Sequence, residues 1–416
     1  MNKASELEFD LVIVGGGMVG SMLCAAIVKG RTQRSEPLSV CVLENRLPKP
    51  FIPGSDPKYD LRVSALSMSS QHMLQYVGAW DGIVSRRCCK YKRLSVWDSE
   101  QAGRTDFNAS DANADQLGHI VENRVLQLAL QESIAELSNV TVLSPARLSR
   151  YRLTQTGVQI ILEDGKRIKA KLIVGADGAN SLVRRQAGIN MDKKVYPQHA
   201  LVATVSTALP QQDITWQRFI PTGPQAFLPL CGPQGSIVWY HNEEEIARLA
   251  KLDNDTFVEL LQKSFPEELG EIKSVQARGS FPITKAHVEK YVTHRVALVG
   301  DAAHTVHPLA GQGVNIGLLD AAALAQVLME ACDKGRDFGE EAVLRKYHRW
   351  RIGENQLMIT ALDAIYEVFK PRTSLVQHIR SASMNLVDRV EPIKQIVMSH
   401  AMGVSGDLPA IARPTE

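Results

Sequence analysis

The chain has 416 residues, 44% of them hydrophobic, which is length and apolar content enough for two domains. Its 47 Lys and Arg stand against 45 Asp and Glu, a formal net charge of +2, so there is no basic field for nucleic acid. Six cysteines offer no CxxC pair and no disulfide framework, which fits a reducing cytosol.

Residues 11–20 read LVIVGGGMVG, an apolar run that breaks into Gly15, Gly17 and Gly20. This predicts a strand, a tight turn and a helix. Gly15 permits the turn, Gly17 lets the backbone approach a pyrophosphate, and Gly20 lets helix and strand pack closely. The helix N-terminus then offers N–H groups and a positive dipole end to phosphates. The run LSVCVLE (38–44) predicts the second strand, and Glu44 at its end can accept hydrogen bonds from a ribose diol. The stretch 30–37 is expected to loop out between them. Leu11 to Val28 is uncharged and at the lower edge of a membrane span in length, but the glycines and the strand-to-helix switch favour a βαβ unit. Glu6, Glu8 and Asp10 argue against a signal peptide.

Further along, KRLSVWDS (92–99), HALVATVST (199–207), TWQRFI (215–220), QAFLPL (225–230) and SIVWY (236–240) alternate with period two. They predict an antiparallel sheet with one buried face. Trp216, Phe219, Phe227, Trp239 and Tyr240 are expected mostly in the core, with one or two lining an apolar pocket. Between these runs, LIVGADGANSLVRR (172–185) predicts a strand, then Asp177-Gly178, then a helix with Ser181 and Arg184. Cys88-Cys89, a vicinal pair, reads as two small packed side chains rather than a redox switch.

Residues 295–317 read RVALVGDAAHTVHPLAGQGVNIG. A short buried strand ends at Gly300-Asp301, and a loop opens a helix from about Asn315 to Glu330. Asp301 can bind a polyol such as a ribityl chain. Gly311 and Gly313 leave backbone N–H groups where negative charge develops on a reduced flavin. Two distant glycine-rich pieces holding two ends of one ligand point to FAD. His304 and His307 lie three apart, but no carboxylate or cysteine is near in sequence, so no metal site is expected. The segment 341–403 reads helical, with Leu375, Ile379 and Leu386 at helical spacing.

The order GxGxxG, DGxxSxxR, GDAAHxxxPxxGQGxN resembles the single-component flavin aromatic hydroxylases, the family of p-hydroxybenzoate hydroxylase. LRVSALS (61–67), LGHIVENRVLQLAL (117–130), TWQRFIPTGPQAFLPL (215–230) and SIVWY narrow this to the bacterial ubiquinone-biosynthesis hydroxylases. TWQRFIPTGPQAFLPL and RIGENQLMITALDAIYEVF (351–369) are most similar to the branch that hydroxylates C6 of the demethoxy-benzoquinol intermediate. The sister branch acting on 2-polyprenylphenol shares the flavin motifs. A flavin-dependent prenyl reductase, which does not use O2, shares them too.

The resemblance implies an α/β fold: a Rossmann-like FAD-binding domain (1–75, 105–185, 290–345), an antiparallel-sheet substrate domain (76–104, 186–289) and a C-terminal helical segment (346–416). It implies FAD, reduced by NAD(P)H, O2 as co-substrate, and one oxygen atom inserted into a prenylated quinol or phenol. The cofactor-binding residues it suggests are Gly15, Gly17, Gly20, Glu44, Arg62 in the LRVSAL turn, Asn123, Asp177, Asp301, Gly311, Gln312, Gly313 and Asn315. Asn123 departs from the Arg or Gln of relatives. Asp177-Gly178 would serve both flavin and nicotinamide, and no second glycine fingerprint follows a strand. No residue marks itself as a general base. The prenylated substrate implies a cytoplasmic enzyme at the inner-membrane surface or in a ubiquinone-biosynthesis complex; residues 342–416 hold ten Lys or Arg against seven Asp or Glu.

Overall fold

The structure, a computed structural model, describes residues 6–30, 37–52, 54, 58–98, 103–308, 311, 313–368, 394–395, 398–399 and 402–414. Gln312 and the helical positions Leu375, Val376, Ile379, Leu386 and Val387 lie outside the described residues.

The chain opens with β1 (Leu7–Val14), α1 (Met18–Lys29) and β2 (Val40–Leu43). Leu11 to Val14 are buried, and β1 pairs in parallel with β2. A continuous apolar run is what a strand covered on both faces requires. The uncharged stretch Leu11–Val28 is thus a strand and a core helix. There follow β3 (Val63–Leu66), α2 (Met68–Tyr76), α3 (Trp80–Val84), β4 (Cys89–Tyr91), β5 (Arg93–Asp98), β6 (Arg104–Asn108), β7 (Gly118–Glu122) and α4 (Asn123–Ala135). Next come β8 (Val140–Leu143), β9 (Leu148–Leu153), β10 (Val158–Leu162), β11 (Arg167–Gly175) and α5 (Leu182–Gln186).

The long strands are β12 (Met191–Thr207), β13 (Ile214–Ile220), β14 (Gly223–Pro229) and β15 (Gln234–Asn242), then α6 (Glu243–Lys251), α7 (Asn254–Ser264) and β16 (Ile272–Val288). The end of the described chain holds β17 (Val292–Thr293), β18 (Val296–Leu298), β19 (His304–Thr305), α8 (Gly313–Asp333) and α9 (Glu341–Val368).

The described residues form three sheets. One runs β17-β18-β11-β1-β2-β8, with the β9–β10 hairpin attached to β11. The second runs β19-β16-β12-β15-β14-β13-β5-β6, and a small third sheet is β3-β7-β4. The boundaries drawn from sequence shift accordingly. β6 joins the second sheet rather than the flavin side. Trp80 and Ile83 of α3 pack into the core that contains β1 and α1, not into the substrate sheet.

The alternation predicts an antiparallel second sheet with one buried face; the sheet is mixed, since β5 pairs in parallel with β13, and it is covered on both faces. Trp97, Trp216, Phe227 and Trp239 pack with Phe257 and Leu261 of α7 and Ile246 and Leu249 of α6. Phe219 and Tyr240 face the other way, against Tyr196, Val306, Ile316 of α8, and Ile359, Leu362 and Tyr366 of α9. Neighbours such as Trp239 and Tyr240 must point to opposite faces of a strand. Each fully buried aromatic of this kind contributes about 1.5–3 kcal/mol of transfer free energy.

The tightest approach joins α1 to the β1 turn. A Cβ on Gly20 would lie 1.9 Å from the Gly15 carbonyl oxygen, so only glycine fits. Gly20→Ala must push helix and turn apart, at a cost of about 3 kcal/mol. Urea unfolding should show a lower midpoint and the protein should lose flavin; an unchanged midpoint would contradict this packing.

Candidate functional site

Three parallel strands end side by side. β11 pairs with β1 and with β18, and the last aligned pairs are Val14 with Gly175 and Gly175 with Leu298. The turns that follow them hold Gly15, Asp177 and Asp301. The three sequence motifs therefore meet at one sheet edge, where open parallel sheets bind ligands.

At the first turn, Gly15 has φ +105°, and its N–H donates to Leu43 O at 2.8 Å. A Cβ there would meet Ala176 O at 2.3 Å. A Cβ on Gly17 would meet nothing within 4 Å, so the backbone faces open space. Gly17 is the N-cap of α1, with no capping side chain and no acidic residue in the first turn. By contrast, α2, α5, α6 and α7 are closed by Ser67, Ser181, Asn242 and Asp253. An uncapped N-terminus beside empty space suits a phosphate. Glu44 follows β2, and its carboxylate accepts from Gly16 N–H at 2.7 Å and Arg46 N–H at 2.8 Å. It shapes the glycine turn, and its remaining lone pairs stay available to a diol.

At the other end, Asp301 is exposed at the surface while protein surrounds its carboxylate. Burial pushes its pKa up; the charges of His304 and Arg62 oppose that shift. Arg62 is exposed and stands one residue before β3, so VSAL is a strand rather than a turn. Ala65 N of the same strand lies 3.4 Å from a Cβ built on Gly311, whose φ is +63°. Arg62, Asp301 and Gly311 are thus brought together. Gly313 begins α8, and a Cβ there would meet only Val306 at 3.7 Å.

Four predicted site residues turn their hydrogen bonds to the protein. Asp177 accepts from Leu182 N–H at 2.7 Å and Val183 N–H at 3.2 Å, closing α5. Asn315 donates to Ala65 O at 2.8 Å and accepts from Ser70 Oγ at 2.8 Å and Ser67 N–H at 3.1 Å, which fastens α8 to β3 and α2. Asn123 accepts from Ser64 Oγ at 2.7 Å, and its N–H donates to Arg62 O at 3.0 Å. The Gly311 N–H turns back on Pro308 O at 3.4 Å instead of standing bare. Arg184 donates to Ala302 O at 3.1 Å and Ala179 O at 3.0 Å, tying the second motif to the third.

The two histidines of HTVH have separate surroundings. His304 contacts Asp320 Oδ2 through Nε2 at 2.5 Å. His307 lies among Tyr196, Tyr240 and Tyr366, with ring centroids 4.9, 5.9 and 5.1 Å away, and burial lowers its pKa to about 4.

Asp320 was not singled out from sequence. It is fully buried on α8 and also accepts from Arg351 Nε at 3.0 Å, Asn355 Nδ2 at 2.9 Å and Gly300 N–H at 3.2 Å. One carboxylate therefore grips both flanks of Asp301. The available signal was a lone charge in the apolar run LLDAAALAQVLM (318–329).

The FAD binding domain profile matches residues 8–359. The 3-demethoxyubiquinol 3-hydroxylase of Escherichia coli (strain K12) is 37% identical over 395 residues, 95% of this chain and 98% of that protein. The chain belongs to the family of FAD-dependent ubiquinone-biosynthesis hydroxylases. The ubiquinone hydroxylase UbiL of Rhodospirillum rubrum is 36% identical, covering 95% of this chain and 89% of its own. In fold, the chain is similar to p-nitrophenol 4-monooxygenase PnpA from Pseudomonas putida DLL-E4, with TM-score 0.76 at 18% identity over 96% of this chain and 99% of that one. The protein is a flavoprotein monooxygenase with FAD as cofactor, and NAD(P)H is the usual reductant of its family. The open Gly17 backbone, the uncapped α1 and the exposed Asp301 fit that cofactor.

Two predictions follow from this geometry. Asp301→Ala should yield protein that loses flavin on dialysis, and Gly313→Val should lose flavin or its reduction while melting normally; full flavin content and turnover in both would move the site elsewhere. The second concerns pH. Burial alone would raise the Asp320 pKa, but His304, Arg351 and Asn355 outweigh burial and hold it at about 2, below the ordinary 3.8. A depressed carboxylate contributes stability that is present above pH 4 and lost as pH falls towards 2, on the order of 2 kcal/mol. Asp320→Asn should flatten that acid slope in urea unfolding and cost about 3 kcal/mol at pH 7, because Arg351 loses its buried partner. An unchanged slope would contradict the assignment.

Proposed function

We propose that the protein hydroxylates the ring of a prenylated benzoquinol in ubiquinone biosynthesis, at the carbon that lacks its methoxy group in the demethoxy intermediate. The observation that carries this reading is the full-length 37% identity with a hydroxylase named for that substrate. The aromatic face of the second sheet supports it.

FAD supplies the oxygen-activating redox chemistry when bound. The chain's own residues bind and orient. Gly15, Gly17, Gly20 and Glu44 would hold the adenosine and pyrophosphate end. Arg62, Asp301, Gly311, Gly313 and the first turn of α8 would hold the flavin end. Asn123, Asp177 and Asn315 position the segments that carry those groups. Phe219 and Tyr240, with Tyr196, His307 and Tyr366, form the apolar wall that excludes water beside the flavin loop. An electron-rich quinol needs little acid–base help, and no side chain is assigned as general base.

The substrate's tail partitions into lipid, so pickup at a membrane surface or from a protein complex belongs to the same proposal. Among the described residues, one helix, Gly313–Asp333, is long and apolar enough to cross a membrane, but most of it is buried in the fold. Leu357 and Ile365 of α9 are 61% and 42% exposed and offer an apolar surface contact.

The test is turnover of the purified holoenzyme with NADH or NADPH. A demethoxy-benzoquinol should gain one oxygen atom in mass, with O2 consumed, faster than a 2-polyprenylphenol. Preference for the phenol would assign the sister reaction, and saturation of the prenyl chain without O2 uptake would assign a reductase. Leu357→Lys with Ile365→Lys should slow turnover of a long-tailed quinol in vesicles and spare a short-tailed one; equal rates on both would remove the surface contact.

A further inference from the structure

Three thiols near the flavin end play no part in that reading. Cys88 and Cys89 lead into β4 of the three-stranded sheet, and Cys231 follows β14 of the second sheet, so they come from different layers. Cys89 packs with Ala65, Ile120 and Leu230, and Cys231 closes the same cluster. Ala65 is the residue that faces Gly311, so one side chain separates the thiols from the flavin loop.

The turn carrying Cys231 is held in place. Tyr59 Oη donates to Cys231 O at 2.9 Å. Gln211 accepts from Gly232 N–H at 2.7 Å, donates to Leu230 O at 3.2 Å, and its Nε2 lies 3.4 Å from Cys89 Sγ. The Cys89 thiol donates to Lys90 O at 3.8 Å, and Cys231 packs against the same cluster. The neighbouring Cys89 draws Cys231 below the ordinary thiol range against the effect of burial, helped by the Cys88 N–H and the Arg87 charge and opposed by Glu122. Cys231, then burial, pushes Cys89 up, and burial pushes Cys88 up to about 12. Cys231 is half-exposed, while Cys89 is buried. The cluster thus has one accessible nucleophilic sulfur and one protonated partner against it, the arrangement of an attacking and a resolving thiol.

We propose that Cys231 and Cys89 form a reversible disulfide staple, made by hydrogen peroxide and undone by a dithiol. The Cys231 thiolate attacks one oxygen of the peroxide; the O–O bond breaks, hydroxide leaves, and Cys231 becomes a sulfenic acid. The Cys89 sulfur then attacks the Cys231 sulfur; the S–O bond breaks, the sulfenic hydroxyl leaves with the Cys89 proton as water, and the S–S bond forms. Two electrons pass from the two thiols to the peroxide. The new bond joins β4 to the β14–β15 turn and fixes the substrate sheet against the strands that line the flavin loop.

The test maps disulfides in the holoenzyme. After peroxide treatment, free thiols are blocked with iodoacetamide and tryptic peptides are analysed without reduction. Trypsin cuts after Arg87 and Lys90, so the expected product joins the 88–90 peptide to the peptide containing Cys231. Cys88→Ser must keep the link, Cys89→Ser and Cys231→Ser must lose it, and dithiothreitol must release it. Melting curves of the untreated variants check that loss of the link is not loss of fold, and Cys231→Ala serves if the serine variant unfolds. A Cys88–Cys89 bond, a link that survives Cys89→Ser, or Cys231 carried to sulfinic acid with no link would overturn the proposal.

Discussion

The parallel pairing of β11 with β1 on one side and β18 on the other is the constraint on which the rest depends. Val14, Gly175 and Leu298 end in register. Each turn beyond them is stitched to the next: Ala176 N–H donates to Val14 O at 2.8 Å, and Val299 N–H donates to Gly175 O at 3.0 Å. Segments far apart in sequence thereby present their backbone at one edge. A ligand long enough to reach from the Gly15 turn to the Asp301 turn can be gripped at both ends without any further device.

The second requirement is that the Asp301 turn stay where β18 delivers it. A short strand of three residues gives little purchase. The buried carboxylate of Asp320 supplies the rest, bonding Gly300 before Asp301 and His304 after it through Oδ2 while Arg351 and Asn355 tie Oδ1 to α9. A buried charge is costly to desolvate, and this one is matched by a guanidinium and three further donors, so its removal leaves unpaired groups behind. Asn315 does the corresponding work for the glycine loop. The Asp301 turn is therefore fixed by helices α8 and α9, and α9 reaches from that hub to the aromatic face of the second sheet through Ile359, Leu362 and Tyr366.

The parts of this arrangement that were legible in the sequence are those that depend on local backbone needs. Glycines at Gly15 and Gly20 mark a turn and a close contact whatever surrounds them. Period-two alternation located β5 and β12 to β15. It could not say what covers each face, so the sheet was expected to have one buried side; α6 and α7 on one face, α8 and α9 on the other, are long-range facts. The long strand β16 was not read because Gly279 and Pro282 interrupt its alternation. Asp177 and Asn315 illustrate a different limit. A polar side chain at a strand end or in the first turn of a helix can face a ligand or bond neighbouring elements, and the sequence is the same in both cases. Cys231 could be joined to Cys88 and Cys89 only once the sheets were in place.

The central claim is that one ligand is held at two ends by the two turns. Titration calorimetry of the flavin-free protein with FAD and, separately, with FMN tests it most directly. Loss of the adenosine half removes the contacts of the Gly15 turn and Glu44, and linking two half-sites raises affinity by a factor on the order of a thousand. The account predicts that FAD binds about a thousandfold more tightly than FMN. Equal affinity for the two would contradict it.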